Sequence, residues 1–383
     1  MRRVLMVQPS MQPPGGGNGV AAWMLQALVD RHHVTVLSWR PVDVAPINRF
    51  FGTSLLADQF KALVVPASWQ AIPNHLAVPA ALLKSSVLMR YTRKIADDYD
   101  VIMGIHNETD YGRRGIQYVH YPTYLRPRPD ADLRWYHHST PLLHAYYQIA
   151  DGVAGFSMER MKSNLTLANS DWTASRIRRC LGINARTLYP PVADPAPSPP
   201  WSDRVRGFVS IGRISPEKEY ERSMRILAGV RKTHPEITLT IVGTTDRYGR
   251  RYYEQLRRLA GSLGSWIQFR QDLSREDIRA LMANYRYGIH GMREEHFGMA
   301  PAELVRAGAI VWVPDGGGQV EIVGSEPRLR FSSDAEAVDS IAGVLSSPCE
   351  EDRLREGLVE RGKLFGISRF IDDMRDIVDT FRE

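Results

Sequence analysis

Two carboxylates eight residues apart, Glu295 and Glu303, flank a Phe297-Gly298 pair in the run Arg293-Glu-Glu-His-Phe-Gly-Met-Ala-Pro-Ala-Glu303. The run follows an apolar stretch, Tyr287-Gly-Ile-His290, and leads into a helical pattern from Ala302 to Ala307. That order predicts Glu295 in a strand-to-helix loop and Glu303 about two turns into the helix. Gly298 lets a backbone approach a ligand closely, and the free amides of Gly298, Met299 and Ala300 at the helix start suit an anion. One carboxylate can then hold hydroxyls beside a site that holds phosphate. Two cations in Ser210-Ile-Gly-Arg-Ile-Ser-Pro-Glu-Lys218 fit the same chemistry. Arg213 directly follows a strand pattern and Lys218 stands at the entry of the next helix. Converging at a strand end, they can hold a diphosphate and stabilise the charge that builds on it when a sugar–phosphate bond breaks. A nucleotide sugar carries both the hydroxyls and the phosphates.

The first half holds weaker signals. Pro13-Pro-Gly-Gly-Gly-Asn-Gly-Val20 follows a strand pattern and opens a helix, so the amides around Gly16 and Gly17 can wrap a phosphate. It does not fit the dinucleotide fingerprint, because no Gly or Ala falls at the third required place. The second strand ends Leu37-Ser-Trp-Arg40 without a ribose-binding acid. Tyr118-Val-His-Tyr-Pro122 places His120 at a strand end, where a ligand cleft is expected. Asp130-Ala-Asp132 has the Asp-x-Asp form of a metal site but lies among Arg126, Pro127, Arg128 and Pro129, and reads as a polar loop. No cluster has metal-ligand spacing, and neither a serine nucleophile elbow nor a Walker loop occurs. Asp315-Gly-Gly-Gly-Gln-Val-Glu321 reads equally well as a plain turn or as a turn packed close to a ligand.

The elements that must position these residues alternate. Val4–Val7, Val34–Leu37, Val101–Ile105 and Gln117–His120 read as strands of the first half, with a helix over Gly19–Asp30. A proline-rich stretch, Tyr189 to Pro200, then stiffens the chain and marks a boundary. A second α/β series follows: strands at Gly207–Ile211, Thr238–Val242, Trp266–Phe269 and Ile310–Val313, and helices at Glu219–Thr233, Tyr252–Ser262 and Arg275–Asn284. Such alternation implies parallel sheets with crossover helices, and hence two doubly wound domains whose ligand loops lie at the strands' carboxyl ends. An amphipathic segment, Ser368–Arg382, closes the chain.

With 383 residues, 43% of them apolar, two cores are expected. The opening Met1-Arg-Arg-Val-Leu-Met-Val reads as a strand rather than a signal peptide, and no apolar run approaches a membrane span. Cys180 and Cys349 are too few for a disulfide framework, so a cytoplasmic location is expected. Residues 1–195 carry 21 basic against 14 acidic side chains, and the remainder 28 against 29. The basic excess clusters at Arg90/Arg93/Lys94, Arg113/Arg114, Arg126/Arg128 and Arg176/Arg178/Arg179. Such clusters are most often solvated surface; the functional readings are peripheral contact with an anionic membrane at its inner face, a phosphorylated acceptor, or nucleic acid, the last disfavoured because no nucleic-acid motif accompanies the charge.

Gly212-Arg213…Lys218, Glu295…Glu303 with Phe297-Gly298, and the two-domain layout together resemble the retaining glycosyltransferases of the GT4 family, which have the GT-B fold. Tyr118-Val-His-Tyr-Pro122, Asn169-Ser170, Tyr189-Pro-Pro-Val192 and Glu295-His-Phe-Gly298 are similar to that family's GDP-mannose-dependent α-1,2-mannosyltransferases of lipid-linked oligosaccharide assembly. The resemblance implies two Rossmann-like domains facing a central cleft: an acceptor-side domain over residues 1–195, a nucleotide-sugar donor domain over 196–365, and a helix over 366–383 crossing back to the first domain. It implies that Arg213 and Lys218 bind the diphosphate with the Met299 and Ala300 amides. Glu303 would hold the ribose, Glu295 the hexose hydroxyls, and His120 the transferred sugar, with the Gly16-Gly17 loop near the donor phosphate. No metal or other cofactor is implied. The acceptor would be a glycan, a lipid-linked sugar or a small molecule. A UDP-sugar-dependent transferase and a non-catalytic nucleotide-sugar-binding partner protein are the alternative readings.

Overall fold

The computed structural model describes residues 1–75, 81–122, 140–245 and 249–382. Arg126, Arg128, Asp130 and Asp132 lie outside the described residues. Met1–Tyr189 with the C-terminal segment from Ser368 form one compact unit, and Pro190–Ile367 form the other.

In the first unit the chain runs β1 (Arg3–Val7), α1 (Gly16–Leu28), β2 (His33–Ser38), α2 (Val44–Phe51), β3 (Lys61–Val64), α3 (Ala67–His75), α4 (Ala81–Ile95), β4 (Val101–Gly104), β5 (Ile116–Val119), α5 (Thr140–Ala154), α6 (Met158–Lys162), β6 (Leu165–Ala168), α7 (Asp171–Leu181) and β7 (Arg186–Thr187). The second unit continues with β8 (Val205–Ile211), α8 (Tyr220–Val230), β9 (Leu239–Gly243), α9 (Arg250–Leu263), β10 (Ile267–Gln271), α10 (Arg275–Asn284), β11 (Tyr285–Ile289), α11 (Met299–Arg306), β12 (Ile310–Pro314), α12 (Gln319–Val323), β13 (Arg330–Phe331), α13 (Asp334–Leu345) and α14 (Pro348–Lys363). The last helix, α15 (Ile367–Thr380), returns to the first unit.

Both sheets are parallel. The first has seven strands in the order β3-β2-β1-β4-β5-β6-β7, and the second has six in the order β10-β9-β8-β11-β12-β13. The central strands are apolar on both faces because helices cover both faces of such a sheet. All five residues of β12, Ile-Val-Trp-Val-Pro, are buried, whereas in the edge strand β10 exposed positions alternate with buried or half-buried ones. Phe208 of β8, Tyr287 of β11 and Trp312 of β12 pack together, with ring centroids 5.0 Å apart for Phe208–Tyr287 and 5.7 Å for Phe208–Trp312. Phe370, Met374, Ile377 and Val378 of α15 are buried with Val4, Met6 and Leu25 of the first unit, so one amphipathic face of the last helix belongs to that core.

Most of the clustered arginines of the first unit have internal work. Arg93 binds the fully buried Asp110 and the carbonyls of Ala154 and Gly155. Arg113 donates to the Ala96 and Tyr99 carbonyls, Arg114 to those of Ser163 and Arg382, and Arg90 to that of Val153. The Arg176 guanidinium lies 4.8 Å from the centroid of the Trp172 ring. Arg178 and Arg179 stay exposed on α7. Among the described residues no helix is long and apolar enough to cross a membrane.

Candidate active site

The order of the second sheet reverses between β8 and β11, which are hydrogen-bonded neighbours although their starts are 80 residues apart. Loops leaving the carboxyl ends of two such strands diverge and leave a ligand crevice between them. The loop after β8 carries Arg213 and Lys218, and the loop after β11 carries Glu295.

Lys218 and Glu295 meet directly: the ammonium donates to Glu295 Oε2, and both side chains are largely buried. The same Oε2 lies 3.2 Å from His290 Nε2, and His290 itself is only 4% exposed. Glu295 Oε1 accepts no hydrogen bond among the described residues. Burial by itself would raise the Glu295 carboxyl, but the hydrogen bond from His290 and the charge of Lys218 outweigh it and hold the group well below the usual carboxylate range. Burial lowers the His290 imidazole against the opposing pull of Glu295, and Lys218 adds to the lowering. The spacing of the carboxylates pointed to Glu295, but His290 was read only as the end of an apolar strand. Its burial five residues ahead of Glu295 is what gives it a role.

These two groups fix a direction for stability against pH. The unfolded chain binds a proton on His290 that the folded chain refuses, so this contribution is complete above about pH 6.5 and fades below it. Glu295, lowered in the fold, contributes above the ordinary glutamate range and loses that contribution at still lower pH. Replacing His290 by glutamine removes the upper limb alone. The stability gap between the native chain and His290→Gln is expected to shrink by up to about 1.4 kcal/mol per pH unit on acidification from pH 6.5. Denaturant titrations at pH 7.5 and pH 5 measure it; a gap that does not change with pH would show that His290 is not held neutral.

Arg213 sits differently. Its side chain is 62% exposed and its acidic neighbour, Glu217 at 3.3 Å, lies on the same loop. Lys218 and Arg213 therefore share a loop but not a partner. Tyr220, the first residue of α8, is buried, and its hydroxyl has no hydrogen-bond partner among the described residues.

The Asp315-Gly-Gly-Gly318 turn after β12 supports the Glu295 loop from behind. Gly317 pairs with Glu295 in an isolated parallel bridge, and the Gly318 amide donates to the Glu295 carbonyl at 2.7 Å. Gly317 has φ +73°, and a Cβ there would stand 2.4 Å from the Glu295 carbonyl oxygen and 2.6 Å from its nitrogen. The turn is thus packed on protein backbone, which neither sequence reading of it had specified. Gln319, fully buried at the start of α12, donates to the Met292 carbonyl at 2.8 Å and ties down the same loop.

The helix of Glu303 starts at Met299, three residues ahead of the Ala302 onset, so the glutamate is its fifth residue and lies in the second turn. Gly298 caps this helix at φ +105°. The first intrahelical bond runs from Ala302 N–H to the Gly298 carbonyl, which leaves the Met299 and Ala300 amides ahead of it without helical acceptors. Glu303 is 8% exposed and is gripped by Arg275, the first residue of α10. The guanidinium meets both carboxylate oxygens, through Nη2 on Oε1 and Nη1 on Oε2 at 3.4 Å. The sequence placed Arg275 at a helix start but gave no sign of this pairing.

In the first unit, Gly16 begins α1, three residues earlier than the sequence pattern suggested. Gly17 lies against His120: a Cβ on Gly17 would be 3.0 Å from His120 Nε2. The backbone of His120 is fixed on both sides, its amide donating to Asn107 Oδ1 at 3.0 Å and its carbonyl accepting from Asn169 Nδ2 at 3.0 Å. Asn107 adopts φ +58°, an uncommon conformation for which asparagine is better suited than most residues. The glycine loop and the strand-end histidine singled out separately are therefore neighbours.

Residues 197–365 match the family described as Glycosyl transferases group 1. Among curated proteins, the chain is 30% identical over 167 residues to the GDP-Man:Man(3)GlcNAc(2)-PP-Dol alpha-1,2-mannosyltransferase of Dictyostelium discoideum, covering 39% of this chain and 33% of that protein. It is 26% identical over 230 residues to the protein of the same name from Homo sapiens, covering 55% and 46%. The chain thus spans less than half the length of these relatives. Among solved structures, its fold is similar to that of Anabaena Alr3699/HepE in complex with UDP and glucose, at TM-score 0.68 and 16% identity over 100% of both chains. It is also similar to WaaG, a glycosyltransferase involved in lipopolysaccharide biosynthesis, at TM-score 0.66 and 15% identity over 99% and 100%. Residues 197–365 thus carry the Glycosyl transferases group 1 domain, and the two parallel-sheet Rossmann-like units have the fold of GT-B glycosyltransferases.

Proposed function

We propose that the chain is a retaining glycosyltransferase that moves mannose from GDP-mannose to a hydroxyl of a glycan, lipid-linked or small-molecule acceptor, without a metal ion. The observation that carries this reading is the Lys218–Glu295–His290 cluster at the reversal point of the second sheet. It supplies a buried carboxylate with one oxygen bonded by Lys218 and 3.2 Å from His290 Nε2, and the other accepting no hydrogen bond among the described residues. Glu295 Oε1 is the atom suited to hexose hydroxyls.

In this reading the bond from the anomeric carbon to the donor phosphate oxygen breaks, leaving its electron pair on that oxygen. The acceptor hydroxyl oxygen bonds to the anomeric carbon, and its proton passes to the departing phosphate. No side-chain base is then required. Arg213, with most of its guanidinium exposed, and Lys218, which has N–H donors beyond the one given to Glu295, stabilise the developing diphosphate charge. The amides of Met299 and Ala300 add partial positive charge at the start of α11. Glu303 holds the ribose; within the first unit, His120 beside the Gly16-Gly17 loop is the group suited to a sugar hydroxyl or a phosphate. The exposed Arg178 and Arg179 are the side chains offered to an anionic membrane carrying a lipid-linked acceptor.

Thermal unfolding against GDP, UDP, ADP and dTDP, then GDP-mannose, UDP-glucose and UDP-GlcNAc, tests the donor. A ligand that binds only the folded state raises the midpoint, by about 2.7 kcal/mol of stability at a hundredfold excess over Kd. Selective stabilisation by GDP and GDP-mannose is the expected result. Selective stabilisation by the uridine compounds would overturn the mannose assignment while keeping a transferase, and no shift with any nucleotide would overturn both.

A further inference from the structure

We propose that Arg275 is a positioning residue that gives the Glu303 subsite its selectivity for a ribonucleotide over a 2′-deoxyribonucleotide. The proposal rests on the reading of Glu303 as the ribose holder. A carboxylate offers about four lone-pair sites, and the Arg275 fork uses one on each oxygen. Two planar groups joined at two points lie in a set orientation, so the remaining lone pairs have fixed directions. Two adjacent hydroxyls, 2′ and 3′, can then each donate to a different carboxylate oxygen.

Arg275 is itself anchored. It opens α10, whose start is capped by Ser274 accepting from the Asp277 amide at 3.0 Å, so the base of the side chain is set by helix geometry. The Glu303 side chain is 9% exposed and that of Arg275 30%, and a carboxylate this buried needs a fixed counter-charge. Lysine at this position keeps the charge but acts as a single point donor that leaves the carboxylate free to rotate.

Calorimetric titration of the full chain with GDP and 2′-deoxy-GDP, and with UDP and 2′-deoxy-UDP as a second pair, tests this. The native chain is expected to bind the ribose form of its preferred base about tenfold or more tightly than the deoxy form, as one hydroxyl–carboxylate bond implies. Arg275→Lys is expected to bind both forms with nearly the affinity that the native chain shows for the deoxy form, and Glu303→Gln should do the same. Circular dichroism checks the folding of each variant, and Arg275→Gln takes the place of Arg275→Lys if the latter does not fold. If Glu303→Gln loses the discrimination and the Arg275 variants keep it, the role of Arg275 is overturned while the ribose subsite stands. If the native chain does not discriminate, or binds no nucleotide, the ribose reading falls and takes the proposal with it.

Discussion

Lys218→Met is expected to remove transfer activity and to destabilise the second unit at the same time. The usual cost of deleting one donor aimed at developing charge is about 10²–10³ in turnover. Here the deletion does more, because Lys218 is also the buried counter-charge of Glu295. Removing one partner of a buried ion pair costs about 3–5 kcal/mol, since the remaining charge is left in a poorly solvating site. Arg213→Ala provides the contrast. Its side chain is largely exposed and its ion pair is made within its own loop, so turnover should fall comparably with stability almost unchanged. The double variant Lys218→Met with Glu295→Gln removes both charges and should recover much of the stability but none of the activity. Denaturant unfolding alongside a donor-turnover assay separates these cases. A Lys218→Met chain as stable as the native one would mean that the buried pair is not formed in solution.

The second large effect is expected at Gly317. Alanine there meets two penalties at once. A left-handed φ costs an L-residue about 1–2 kcal/mol. The new methyl would also lie far inside contact distance of the Glu295 carbonyl oxygen and nitrogen, and backbone on both sides cannot yield as a side-chain tip can. The relief available is a shift of the 293–297 loop away from the turn. Displacing a site group by 1 Å can cost about 10² in rate. Gly317→Ala should therefore lose at least about 2 kcal/mol of stability together with most of its turnover. Gly343→Ala is the matched control: it lies within α13 with nothing near its added methyl, and should gain about 0.4–1 kcal/mol. Equal stabilities for the two variants would remove the support role assigned to the glycine turn.

Local order in the sequence determined the elements and which loops hold the glycine-rich and charged motifs. The predicted strands and helices of both halves lie within a few residues of those observed, because alternation of short apolar runs with helical periods is a property of neighbouring residues. Arg275–Asn284 and the amphipathic end of the chain were legible for the same reason. Arg213, Lys218, Glu295 and Glu303 stood out because glycine and strand-end positions mark where backbone can meet a ligand.

Only the tertiary structure decided which of these groups belong together. Lys218 and Glu295 are 77 residues apart, and they meet because the parallel crossovers place β8 beside β11. Arg275 reaches Glu303 across 28 residues because the starts of two successive helices converge. His290 looked apolar by context and proved to be a buried partner of the carboxylate five residues on. The glycine turn after β12 looked like a connection and proved to be the backing of the Glu295 loop. Much of the basic excess of the first half, read as a surface, binds carbonyls and a buried aspartate instead. Periodicity reports which face of an element is apolar; it carries no record of the strand order that brings distant loops to one place, or of the partner a buried charge must find there.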